Sequence, residues 1–151
     1  MRTKFPRGSV DSQTIGNIGL YYTCYRLSLY GWNAMPTARN AKGIDILAYS
    51  QNGKKRILIQ VKTLSKKNPV PFGTTLDNLF ADFVVVCVRA YPSEPNCFVL
   101  TPEEIKKLAH KGIKDGKTSY WLQPNDYYCE QFKDKWSRIG IGVRLLQNKE
   151  E

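Results

Sequence analysis

Apolar residues recur at helical spacing in one long stretch near the start of the chain. Ile18, Tyr21, Tyr22, Tyr25 and Leu29 fall on one side, and Leu20, Cys24 and Leu27 broaden the stripe. Asp11 or Ser12 can cap the helix this predicts, and Gly31 can end it in a left-handed turn. Gly16 and Gly19 weaken its first turns but would let another backbone come close. After Gly31 the period drops to two. Trp32–Met35 reads as a short strand stopped by Pro36. Ile44–Tyr49 sets Ile44, Ile46 and Ala48 against Asp45, Leu47 and Tyr49, and Arg56–Lys62 sets Ile57, Ile59 and Val61 against Leu58, Gln60 and Lys62. Gln51-Asn52-Gly53-Lys54 joins these two as a hairpin, because Asn and Gly tolerate positive φ.

Further along, Ser65–Gly73 carries two prolines and reads as a loop, and Thr74–Asp82 as a short helix. Phe83–Val88 is an unbroken apolar run, the mark of a strand buried on both faces. A polar turn over Tyr91–Asn96 leads to a strand at Cys97–Leu100. Thr101-Pro102-Glu103-Glu104 is a strong helix start, with Thr as cap, Pro in the first turn and Glu three residues on. That helix is expected to run to about His110 and stop at Gly112, with a short strand at Ser119–Leu122 and a last helix at Tyr127–Ser137. There is no repeat and no linker. The order predicts one α/β domain over residues 11–151, behind a loose basic arm over residues 1–10.

Composition supports a globular chain. Of the 151 residues 42% are hydrophobic and 12% aromatic, enough for a real core. No run approaches the roughly eighteen apolar residues that span a bilayer, and the first ten residues lack the apolar centre of a secretory signal. Cys24, Cys87, Cys97 and Cys129 are widely spaced with no C-x-x-C pair, which predicts buried free thiols in a reducing cytoplasm. Charge is distributed less evenly than composition. Residues 1–67 hold 12 lysines and arginines against Asp11 and Asp45, the full net charge of +10, whereas residues 68–151 hold eleven of each sign. A one-sided basic footprint suits a polyanion, since each neutralised phosphate releases counterions. No basic amphipathic helix offers a membrane alternative.

Within that basic half, Gln60 and Lys62 alternate onto one face of a strand, about 6.6–7 Å apart along it, and Asp45 lies across the hairpin. Hydrolysis of a phosphodiester needs a group to hold a divalent cation, a group to orient water, and positive charge where negative charge builds up. Asp45 and the Gln60 amide oxygen can ligate Mg²⁺ or Mn²⁺, the Val61 backbone carbonyl is a further ligand, and Lys62 can orient or deprotonate the water. The ordinary alternative is an exposed Asp–Lys pair worth little.

Asp45, then fourteen residues, then Gln60-Val61-Lys62 on an apolar strand resembles the core of the PD-(D/E)XK, or restriction-endonuclease-like, nuclease superfamily in a Q-x-K variant. The resemblance covers about residues 13–100. It implies an αβββαβ core with a mixed sheet flanked by helices, and a helical, aromatic extension over 101–151. It also implies a metal-dependent, cytoplasmic DNA endonuclease or junction resolvase. Asp45 and Gln60 would bind the metal and Lys62 would assist the nucleophile. Many similar nucleases dimerise to cut both strands, although no interface is legible in this chain. The sequence departs from the family pattern in three ways. Ile44 stands where the family has Pro, Gln60 stands where it has an acid, and residues 12–30 contain no Glu.

Arg39, Lys42, Lys66 and Lys67 surround the hairpin and are the expected phosphate contacts. Gln13 and Asn17, one turn apart, are the accessory positions from which a polar side chain could stand in for the missing Glu. Asp77 and Asp82 are alternative second carboxylates. His110 is expected late in its helix, interacting with the C-terminal dipole. Tyr120, Trp121, Tyr127, Tyr128 and Trp136 can stack on bases, contact a second subunit or pack the last helix. Gln60 keeps a rival function open, a DNA-binding protein of the same fold with weak or lost catalysis. A third is an interaction protein with a basic surface.

Overall fold

A computed structural model describes residues 8–38 and 41–145. Arg39 and most of the basic arm lie outside the described residues. Helix α1 runs from Ser12 to Leu29, with the Asp11 carboxylate accepting the Thr14 N–H at 2.7 Å as its cap. Strands β1 (Asn33–Pro36), β2 (Ile46–Tyr49) and β3 (Arg56–Thr63) follow, then β4 (Val70–Gly73), β5 (Phe83–Val88) and β6 (Asn96–Leu100). Helix α2 spans Pro102–Leu108, strands β7 and β8 span His110–Lys114 and Lys117–Leu122, and a short helix α3 spans Pro124–Tyr127.

The central sheet has the order β1-β2-β3-β5-β6, with only the β3–β5 pair parallel. β5 is therefore interior, and all its residues but Phe83 are buried, as an unbroken apolar run requires. On one face α1 and the C-terminal segment close a core of Leu27, Trp32, Ile46, Ile57, Ile59, Val85 and Trp136. On the other, a second sheet of order β4-β8-β7, with α2, closes a core of Val84, Val86, Phe98, Leu100, Phe72, Ile105 and Tyr127.

Several expectations change. The buried side of α1 is Ile15, Gly19, Thr23 and Leu27, whereas Tyr21, Tyr25 and Leu29 are 58–62% exposed. The reason is distance. A Cβ on Gly19 would clash with Thr63 of β3, so small residues bring the helix backbone onto the sheet, and Tyr21 and Tyr25 are turned away. Residues 74–82 form turns rather than a helix. β4 occupies the expected loop, and its Pro71 is tolerated because β4 is an edge strand. α2 stops at Leu108, and His110 opens β7 instead of ending a helix. Residues 127–137 make no long helix; Tyr127 and Trp136 are buried by turns and a single-turn 3₁₀ helix, Trp136–Arg138. Cys87 and Cys97 are buried free thiols facing each other across β5 and β6, while Cys24 and Cys129 are half-buried.

Candidate active site

The β2–β3 hairpin is pinned by Gly53 (φ 72°) and by the pairing Ile46↔Ile59. Ile57 and Ile59 point into the α1-side core, so Gln60 and Lys62 project from the opposite face. Asp45 sits one residue before β2, where the ladder runs out. Its N–H donates to Ile59 O at 2.9 Å and its carbonyl accepts the Thr37 N–H at 2.8 Å, so the backbone is held from both sides. One carboxylate oxygen, Oδ2, accepts the Val61 N–H at 2.7 Å. Asp45 thus satisfies a donor that the shortened β2 leaves without a strand partner, and its second oxygen remains.

Gln60 stands beside it with Oε1 buried and without a hydrogen-bond partner. An amide oxygen in that state costs about 1–3 kcal/mol relative to a satisfied one. Lys62 lies under β4, its Nζ 5.3 Å from the centre of the Phe72 ring. Burial pushes the Lys62 ammonium below its usual pKa, and the Asp45 charge partly restores it. The two residues therefore sense each other electrostatically. Asp45, Gln60 and Lys62 all project on the sheet face away from α1.

The supporting positions are less uniform. Lys42 and Lys66 are exposed, and Lys67 is exposed with Nζ 4.1 Å from the Tyr128 ring centre. Lys42 precedes Gly43 (φ 75°), against which Phe80 and the Asn78 carbonyl pack so closely that a Cβ there would meet them at 2.8–2.9 Å. The turns over 74–82 thereby border the site. Asp82 is committed elsewhere: its Oδ2 accepts the Leu58 N–H and its N–H donates to Leu58 O, both at 2.8 Å. Asp77 is exposed, with its N–H on Thr75 Oγ1. Gln13 and Asn17 lie on α1, across the sheet from Gln60 and Lys62, and are not assembled with them. His110 stands on β7 with Nε2 3.0 Å from Asp126. Phe72 and the Val61 N–H contact are site features the sequence reading missed. Phe72 sits in a Val-Pro-Phe segment that reads as a loop.

Two solved structures share this architecture. One is the bacterial homing endonuclease I-Ssp6803I, with a TM-score of 0.58 at 15% identity over 87% of this chain and 92% of that one. The other is Hjc, a Holliday junction resolvase from the archaeal hyperthermophile Archaeoglobus fulgidus, with a TM-score of 0.56 at 15% identity over 87% of this chain and 98% of that one. The fold is restriction-endonuclease-like. No protein-family model matches the sequence, and no curated protein does.

Among the described residues of this restriction-endonuclease-like chain, no three His, Cys, Asp or Glu side chains cluster to hold a metal. The oxygens available are those of Asp45, the unpartnered Gln60 amide and backbone carbonyls. These hard donors suit Mg²⁺ or Mn²⁺ and not softer metals. The Gln60 oxygen, buried without a donor, is what a cation there would satisfy. No described helix is long and apolar enough to cross a membrane.

Proposed function

We propose that the chain is a metal-dependent endonuclease cleaving phosphodiester bonds in DNA, cytoplasmic, with Asp45, Gln60 and Lys62 as its catalytic residues. Asp45, the Gln60 amide oxygen and the Val61 carbonyl would hold Mg²⁺ or Mn²⁺. Arg39, Lys42, Lys66 and Lys67 would contact phosphates. The observation that carries the reading is the unpartnered Gln60 oxygen set beside Asp45 and Lys62 on one sheet face. When bound, the cation supplies positive charge at the attacked phosphate and acidifies a bound water. Asp45 is held in place by the Val61 N–H. Lys62, with its ammonium destabilised by burial, accepts a proton from the attacking water through Nζ more readily than an exposed lysine would.

The same reading includes a homodimer. The exposed side of α1 carries Tyr21, Tyr25 and Leu29 and no charge, and Arg26 is turned onto the Trp136 ring. On a chain of net charge +10, a neutral face is where a second copy meets least repulsion. A second reading, a DNA-binding protein with crippled catalysis, is favoured by the absence of a three-residue metal cluster among the described residues. Incubation with supercoiled, linear and branched DNA in Mg²⁺, Mn²⁺ or EDTA separates the two. Cutting that needs the metal supports the nuclease. Binding with no cutting even in Mn²⁺ supports the second reading.

A further inference from the structure

The β7–β8 hairpin carries a surface that cleavage chemistry does not use. Asp115 (φ 51°) and Gly116 (φ 74°) form a two-residue turn between Lys114 and Lys117, so the strands project as a tight ribbon. Lys111 and Ile113 lie on one side of it, opposite Tyr120 and Thr118, and Lys114 and Lys117 face each other on the other side. Ile113, near the tip, is 70% exposed. Residues 106–117 hold Lys106, Lys107, Lys111, Lys114 and Lys117 against the single acid Asp115, a local charge of +4. The charge balance of residues 68–151 hides this, because its acids lie mostly outside this window and the nearest are held in pairs at the base of the ribbon or beyond it. Glu104 pairs with Arg138 at 2.7 Å, and Asp126 with His110 and the Gln123 N–H.

The base of the ribbon is braced while its tip is free. Trp121 lies so close over Gly112 that a Cβ there would come within 3.0 Å of its ring. His110 stacks on Trp121 with ring centres 5.9 Å apart and an interplanar angle of 20°. The ribbon also adjoins the candidate active site. β8 pairs with β4, whose Phe72 covers Lys62, and Gly73 lies opposite Tyr120. The turn is three residues beyond that pair, so the tip reaches about 10 Å past the end of β4. The ribbon is thus joined, through β4, to the strand that covers Lys62. A two-stranded ribbon fits a major groove about 12 Å wide.

We propose that the β7–β8 ribbon is a second DNA-contacting element, entering a groove of the duplex with Lys111, Lys114 and Lys117 on the flanking phosphates and Ile113 against the bases. The proposal rests on the reading of the chain as a DNA-acting protein but not on cleavage. Its test is anisotropy of a short labelled duplex in EDTA across a salt titration. Lys111→Ala/Lys114→Ala/Lys117→Ala should reduce the slope of log affinity against log salt by about 2–3, at roughly 0.9 per lost phosphate contact. Ile113→Ala should weaken binding about fivefold to tenfold at every salt concentration with the slope unchanged, because only apolar contact is lost. Lys54→Ala/Lys55→Ala/Arg56→Ala, at the β2–β3 turn, removes equal charge and should leave the slope closer to wild type. A wild-type slope in the ribbon triple variant, an equal fall in both triples, or wild-type affinity for Ile113→Ala would overturn the proposal. The nuclease reading fails separately: Asp45→Ala that still cuts refutes that site while leaving the ribbon untouched.

Discussion

Lys62 is held in a place that disfavours its own charge. Burial under Phe72 lowers its pKa from the ordinary 10.5, so folding stabilises the neutral amine relative to the ammonium. The sign follows directly. Below the folded pKa the buried ammonium costs stability, and the cost disappears as pH rises through the unfolded value. Lys62→Met, close in volume and uncharged, should therefore melt higher than wild type near neutral pH. The gap should narrow in thermal melts taken from about pH 6 to about pH 10. A gap independent of pH would refute the assignment. The Asp45, Gln60 and Lys62 trio was legible because period-two alternation and one Asn-Gly turn suffice to place three side chains on a face. That Asp45 also serves the Val61 N–H was not, since it depends on where β2 stops pairing.

At the scale of elements, the contact between α1 and β3 is governed by what is missing from it. Gly19→Ala raises intrinsic helix propensity by about 1 kcal/mol, yet its methyl would meet Thr63 Cβ and Cγ2 at 2.8 Å. Overpacking of this kind costs about 1–3 kcal/mol, so denaturant melts should show net destabilisation. A stabilised Gly19→Ala would mean that the helix is not seated so closely. The same small residues explain why the apolar stripe of α1 is split: Leu20, Tyr22, Cys24 and Leu27 pack on the core, whereas Tyr21, Tyr25 and Leu29 face solvent. β4 was missed because its Pro71 suppresses the strand signal. β7 and β8 had the Asp115-Gly116 turn as their mark, but the strong capping box at Thr101 extended the expected helix across their start.

For the whole molecule, one end of the fold gathers the candidate site with Lys42, β4 and the ribbon, while α1 offers a neutral face on the other side of the sheet. If that face pairs two copies, sedimentation at micromolar protein should find a dimer, and Tyr25→Lys should shift it to monomer without lowering the melting temperature. Sedimentation as a monomer by the wild type would rule out the homodimer. Cleavage at the Asp45, Gln60 and Lys62 site is measured most directly by the single-turnover rate of nicking supercoiled DNA in Mn²⁺, with protein in excess and DNA fully bound. Asp45→Ala and Lys62→Ala should each slow nicking by at least about 10²-fold while still binding the DNA, as loss of a group acting in the transition state should. Nicking by both variants at the wild-type rate would contradict it.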